Sequence, residues 1–167
     1  PGSKKNIKNF SEAKNISKEI GYPILIKASN GGGGRGIKKV LKEQELKENF
    51  LLAKREANQS FGNDDVYIEK FIENPRHIEV QIIGDHDGNL LHLGERECSI
   101  QRRNQKIIEE CPSPAINSQE RKSVCELTIN ALKNVGYQSL GTVEYLYSNG
   151  KFYFIEMNTR LQVEHTI

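Results

Sequence analysis

The sequence predicts an α+β protein in two parts, with mixed helix and strand over residues 1–71 and mainly antiparallel strand over residues 72–167. Three features point that way. Apolar residues recur at helical spacing in separated stretches, most clearly at Leu46, Phe50, Ala53 and Ala57. Elsewhere apolar and polar residues alternate, as in Ile78, Val80 and Ile82 against Glu79, Gln81 and Ile83. Asp87-Gly88 and Asn149-Gly150 fall between such runs, where tight hairpin turns form.

Taken in order, Ser11 can cap a helix carrying Ala13, Ile16 and Ile20, with Gly21 as its end. Pro23 then imposes extension, and Ile24-Leu25-Ile26 reads as a short buried strand. The run from Asn30 to Gly36 is too rich in glycine for anything but a loop, and residues 37–41 read as a returning strand. The helix of Leu46 and Phe50 follows, then a strand over residues 66–71. Beyond Asn74-Pro75 comes the alternating strand, with one face in the core, and Asp87-Gly88 turns it back into residues 90–93. Residues 105–110 are short and extended. Asn117 and Glu120 form a capping-box pattern opening a helix with Val124, Leu127, Ala131 and Leu132. Strands over residues 140–147 and 152–157 follow, around Asn149-Gly150.

A hydrophobic content of 36% and a charged content of 28% are those of a soluble globular protein. The net charge of +2 is too small to suggest nucleic acid or an anionic membrane as partner. No apolar run reaches the roughly 18 residues a membrane span needs, and no signal-peptide core follows Pro1-Gly2-Ser3. Cys98, Cys111 and Cys125 are odd in number and lack CxxC spacing, so they read as reduced thiols of a cytoplasmic or organelle-matrix protein. The chain has no starting Met and stops directly after a motif, so we expect an internal piece of a longer protein.

Several residues carry chemistry. Consecutive glycines let backbone N–H groups approach phosphate oxygens, because no Cβ intervenes. Gly31, Gly33 and Gly36 satisfy GxGxxG, but a dinucleotide-binding turn needs a helix directly behind it, and here a strand is expected. A Walker loop would need a following Gly-Lys-Ser/Thr, and a kinase lid would need catalytic signatures that are absent. A strand–glycine loop–strand hairpin over phosphates remains, set against a plain surface turn. Lys27, ending the strand before the loop, is either a phosphate contact or a solvated lysine.

Glu144 and Glu156 each interrupt an apolar strand, and with Asn158 they offer hard oxygen donors suited to a cation such as Mg²⁺; two solvent-facing glutamates are the plainer possibility. A strict two-residue turn at Asn149-Gly150 would put the two carboxylates on opposite faces, so a shared metal predicts a three-residue loop including Ser148. The basic stretch 101–106, and the group Arg160, Gln162, Glu164 and His165, are each either an anion site or a solvated loop. His77 alone is more often structural than catalytic.

Lys27-Ala28-Ser29 with the glycine loop, Glu69-Lys70-Phe71, the run from Glu95 to Lys106 and the run from Glu156 to His165 together resemble the biotin carboxylase family. The likeness extends in order over nearly the whole chain. Other ATP-grasp ligases, such as carbamoyl phosphate synthetase, are similar in the glycine loop and carboxylate pair but lack the last two wordings. A non-catalytic nucleotide-binding module is the third reading, and loss of Lys106, Arg160 or Glu164 would have favoured it. Asn104 stands where many members carry His.

The resemblance implies an ATP-grasp fold: a small glycine-rich lid subdomain over residues 1–71 and an antiparallel-sheet part binding nucleotide and metal over residues 72–167. It implies that Lys27, Gly33 and Gly34 hold ATP phosphates, that Glu69, Lys70, Phe71 and Ile72 touch adenine, and that His77 and Gln101 line the nucleotide pocket. Glu144, Glu156 and Asn158 would ligate Mg²⁺ or Mn²⁺. Lys106, Arg160 and Val163 would hold bicarbonate, with Glu164 as base and Arg160 also stabilising the biotin enolate. The implied reaction is ATP-dependent carboxylation of biotin by bicarbonate through carboxyphosphate. The implied partners are biotin on a carrier protein or domain, a carboxyltransferase, and a second copy in a homodimer.

Overall fold

The computed structural model describes residues 1–31 and 36–167, so the assignments made to Gly33 and Gly34 lie outside the described residues. The described chain divides into two compact units, Pro1–Ile72 and Glu73–Ile167, one residue beyond the expected boundary.

In the first unit, α1 (Phe10–Ile20), β1 (Ile24–Ala28), β2 (Ile37–Val40), α2 (Glu43–Phe61) and β3 (Val66–Lys70) follow one another. The strands form an antiparallel sheet in the order β2-β1-β3. Ile24, Ile26, Val40, Val66 and Ile68 are fully buried with Leu46, Phe50, Ala53 and Ala57 of α2, so the helical stripe seen in the sequence is the stripe that packs. Asn9, not Ser11, caps α1: its extended backbone lets its side chain accept from the Glu12 N–H, which leaves Ser11 inside the first turn. A strand, not a helix, stands behind the glycine loop, paired with β1 so that Lys27 lies opposite Ile37. Gly36 closes this pairing at φ +72°, where a Cβ would come within 2.9 Å of Ala28 Cβ.

The second unit contains β4 (Arg76–Gly84), β5 (Leu90–Arg102), β6 (Gln105–Glu110), α3 (Ser118–Lys133), β7 (Ser139–Ser148), β8 (Lys151–Asn158) and a short 3₁₀ turn, Val163–Thr166. Its sheet runs β6-β5-β4-β7-β8, antiparallel throughout. The capping box at Asn117 and Glu120 is present. α3 lays Val124, Cys125, Ile129 and Leu132 against Val80, Ile82, Leu90, Val143 and Tyr145. On this face Glu95 reaches Arg121 of α3 with both oxygens at 2.8 Å.

The opposite face carries Glu79, Gln81, Arg96, Thr142 and Glu144, all buried. The expectation of one core face on β4 is therefore corrected, since both faces are covered from Ile78 to Ile82. The basic stretch 101–106 is not a loop. β5 runs on to Arg102, and Arg103 and Asn104, at φ 53° and 63°, make a tight turn into β6.

The β7–β8 hairpin also departs from expectation. Its turn is the strict two-residue one: Ser148 pairs with Lys151, and Asn149 and Gly150 take φ 51° and 73°. Parity is corrected further along. Tyr145 pairs with Phe154 but Glu144 pairs with Glu156, so Ile155 is an extra residue in β8. This bulge, not an odd loop, turns Glu156 to the face of Glu144. Among the described residues, no helix is long and apolar enough to cross a membrane.

Candidate functional site

The polar face of the second unit is built by strand register. Glu79 of β4 has Arg96 of β5 as its cross-strand neighbour on one side and Glu144 of β7 on the other, and Glu144 in turn faces Glu156 of β8. Cross-strand neighbours share a face, so three carboxylates and a guanidinium stand in one row. Asn158, opposite Thr142, belongs to the same face, and its amide donates to Glu144 Oε1 at 2.7 Å.

Lys106 lies at the centre of this group. Its ammonium contacts Glu79 Oε1, lies 3.4 Å from Glu144 Oε1, and lies 3.6 Å from Glu164 Oε1 in the 3₁₀ turn after β8. The Glu79 contact is an ion pair without the alignment of a regular hydrogen bond. Burial disfavours the Lys106 ammonium, but Glu79 and then Glu144 outweigh it and raise its pKa. Burial also works against the Glu79 carboxylate, yet His77, Lys106 and Arg96 pull its pKa down to about 2.

His77 hydrogen-bonds through Nε2 to Glu144 Oε2 at 2.9 Å and lies 3.3 Å from Glu79 Oε1. Gln101 sits behind the ring, with its amide nitrogen 2.7 Å from Nδ1 and 2.8 Å from the Cys98 carbonyl. In that arrangement Nδ1 accepts and Nε2–H donates to Glu144. Burial lowers the ring's pKa, but the two carboxylates prevail and raise it to about 9. The charged ring then requires the Gln101 amide turned over, so that its oxygen faces Nδ1. The Glu144 pKa, pushed up by burial, is brought down overall by the hydrogen bond from His77 and by Lys106.

The donor set fits a hard divalent cation. Glu144 and Glu156 are directly opposed, and like charges so placed destabilise a sheet unless a cation offsets them. With the Asn158 side chain beside them they offer oxygens of the type Mg²⁺ takes. His77, Glu79 and Glu144 also bring ligand atoms within 4.8 Å of one another, although Lys106 occupies Glu79.

The remaining residues are less enclosed. Arg160 is exposed, with its guanidinium donating to the Leu161 carbonyl at 3.1 Å, and Val163 is 88% exposed. In the first unit, Lys27 and Glu69, cross-strand neighbours but one, form an ion pair at 2.5 Å. Lys70 gives its ammonium to the carbonyls of Gly21 and Tyr22, at 2.9 Å each. The Phe71 ring lies under the Lys39 ammonium, 3.7 Å away, and Ile72 is half-buried.

Sequence reasoning missed Glu79 and Arg96, both almost wholly buried. The signal was available for Glu79: it interrupts an apolar strand just as Glu144 does, but alternation was read as a solvent face.

A family model described as "Carbamoyl-phosphate synthase L chain, ATP binding domain" matches residues 1–167. The chain is 51% identical over 168 residues to a biotin carboxylase of Haemophilus influenzae, covering 100% of this chain and 38% of that protein. It is 53% identical over 167 residues to a pyruvate carboxylase of Bacillus subtilis, covering 100% of this chain and 14% of that protein. Among solved structures, it is similar to the biotin carboxylase–β,γ-ATP complex of Campylobacter jejuni, with a TM-score of 0.94, 50% identity, and coverage of 99% of this chain and 37% of that one. It is equally similar to the biotin carboxylase domain dimer of Hydrogenobacter thermophilus 2-oxoglutarate carboxylase, in complex with MgADP, ADP and bicarbonate (TM-score 0.93, 53% identity, covering 100% and 37%). The chain thus spans well under half the length of these relatives.

Proposed function

The chain belongs to the carbamoyl-phosphate synthase L chain ATP-binding domain family, as a homologue of the biotin carboxylases, and from that premise we propose that it is the ATP-grasp core of a protein that carboxylates biotin with bicarbonate and ATP. The observation that carries the proposal is Lys106, a half-buried cation set among Glu79, Glu144 and Glu164.

Bicarbonate is a poor nucleophile. It gains strength by losing its proton as its oxygen attacks the γ-phosphorus of ATP, giving carboxyphosphate and ADP. Glu164 is the base that takes this proton. Lys106 and Arg160, with the Val163 backbone, hold the anion, and Lys106 stands 3.6 Å from Glu164. Carboxyphosphate then splits into CO₂ and phosphate, the phosphate takes the proton of the biotin ureido nitrogen, and that nitrogen attacks CO₂ to give carboxybiotin. Arg160 stabilises the enolate that the loss of the ureido proton creates.

Glu144, Glu156 and Asn158 would hold Mg²⁺ or Mn²⁺, which when bound neutralises phosphoryl charge. His77 and Gln101 orient Glu144 and line the nucleotide pocket. Lys27, with the glycine loop, meets phosphate. Glu69, Phe71 and Ile72 meet adenine, and Lys70 does so through its backbone, because its ammonium is engaged elsewhere. Biotin arrives on a carrier protein or domain, a carboxyltransferase takes the product onward, and the complete protein is a homodimer of the cytoplasm or an organelle matrix.

ADP release by the complete protein, measured with bicarbonate and biotin varied separately, tests this. Dependence on both is expected. Dependence on bicarbonate alone would reassign the chain to a carbamoyl phosphate synthetase-like ligase, and dependence on neither would overturn the reading.

A further inference from the structure

Arg96 has no part in the chemistry described above, yet it is the largest fully buried side chain among the described residues. Such burial of a cation is costly unless partners compensate, so its contacts show what the fold retains it for. Its Nε and one terminal nitrogen meet Glu79 Oε2 at 3.2 and 3.1 Å. The other terminal nitrogen donates to Gln81 Oε1 at 2.9 Å. The first also reaches Thr142 Oγ1 at 3.3 Å and Gln162 Oε1 at 3.1 Å.

These partners lead to both sides of the anion-binding group. Glu79 turns its second oxygen to Lys106. Gln162 directly precedes the 3₁₀ turn that carries Glu164, and its own amide nitrogen lies 3.5 Å from Glu144 Oε1. Glu79 is on β4 and Gln162 follows β8; no regular pairing joins the two.

We propose that Arg96 is a positioning residue that fixes the distance between Lys106 and Glu164, acting on Lys106 through Glu79 and on Glu164 through Gln162. This rests on the reading of that pair as the bicarbonate site. A planar guanidinium presents donors in several fixed directions, which a lysine ammonium on the same strand cannot do. Glu79 supplies the negative charge that holds Lys106 in place, and Arg96 holds Glu79 without competing for the oxygen that faces Lys106. Gln162, being neutral, can be held by the same cation without adding charge beside Glu144.

The test uses Arg96→Lys, Gln162→Met and the double variant in the complete protein, reading bicarbonate-dependent ADP release, ATP affinity and Tm. Arg96→Lys keeps a cation for Glu79 but lets go of Gln162; Gln162→Met lets go from the other side. Each should raise the KM for bicarbonate about tenfold or more, as expected for losing a hydrogen bond to a charged group, with KM for ATP changed less than twofold. The double variant should be no worse in bicarbonate KM than Arg96→Lys alone, because both changes cut one tie. Unchanged bicarbonate KM in either folded variant, or KM values for both substrates moving in step with Tm, overturns the proposal. If Arg96→Lys fails to fold, Gln162→Met alone decides. A wild-type protein with no bicarbonate-dependent ADP release would instead overturn the parent reading.

Discussion

Glu144 and Glu156 stand directly opposite each other on neighbouring strands because β8 holds one residue, Ile155, that β7 does not match. A two-residue turn with plain pairing would have sent them to opposite faces. The bulge therefore assembles the proposed metal site, and the turn does not.

Deleting Ile155 should remove the bulge and leave plain pairing in which Glu156 still stands opposite Glu144. Glu156→Gln removes the Glu156 charge without moving the backbone, and the residue is exposed, so the stability of this variant should stay within about 0.5 kcal/mol of wild type. Glu156→Gln should need more Mg²⁺ for half-maximal ATP cleavage by the complete protein, whereas the Ile155 deletion should keep the wild-type requirement. An unaltered Mg²⁺ requirement in Glu156→Gln would remove Glu156 from the ligand set.

Lys27→Met should weaken ATP binding by roughly tenfold to a hundredfold, the usual worth of a hydrogen bond to a charged group. The Lys27–Glu69 pair is partly exposed, so the thermal transition should move little. Calorimetric titration with ATP measures the first and a melting curve the second. Full affinity in the variant would make Lys27 a partner of Glu69 and nothing more.

Glu164→Gln should lower carboxylation by about 10²–10⁴-fold, the range for loss of a general base, with nucleotide affinity retained. Arg160→Ala should likewise abolish carboxylation without unfolding the protein, since Arg160 is exposed and its guanidinium donates to the carbonyl of its own neighbour, Leu161. Activity that survives, or that falls only in step with Tm, would mean that this segment braces the fold.

Thiol chemistry should separate the three cysteines. Burial pushes the Cys98 thiol far up and the Cys125 thiol up to about 11, whereas Cys111 is exposed. A thiolate-directed reagent at neutral pH should modify Cys111 in the native chain, with Cys98 and Cys125 reacting only after denaturation. Mass spectrometry of peptides after brief alkylation reads the order, and early labelling of Cys98 would contradict the packing of this face.

Gly84→Ala should destabilise the second unit by about 1–3 kcal/mol, the usual cost of overpacking. A Cβ there would run into the Tyr137 carbonyl oxygen and come within 3.1 Å of the Leu90 side chain. Chemical denaturation of the chain gives the value; a change below 0.5 kcal/mol would show that the turn after α3 yields easily.

By itself the sequence determined what depends on neighbours along the chain. The spacing of Leu46, Phe50, Ala53 and Ala57 picks out the buried stripe of α2, because a helix repeats every 3.6 residues whatever it packs against. Asn117 and Glu120 satisfy each other within one turn, so their box was legible too. The strand behind the glycine loop excluded a dinucleotide-binding turn, and the wording of the later motifs carried the family resemblance. Even the cap of α1 was nearly read, missed by two residues because Asn9 and Ser11 are both competent caps and only backbone geometry chooses. Tertiary structure alone decided which polar residues are buried. Alternation gives Glu79 a face but not what covers it: Arg96 lies 17 residues on, and Gln162, which shares that guanidinium, lies 66 residues beyond Arg96. The bulge at Ile155 was hidden for the same reason. A strand's register is a property of two strands, and no local pattern in β8 records how many residues β7 offers against it.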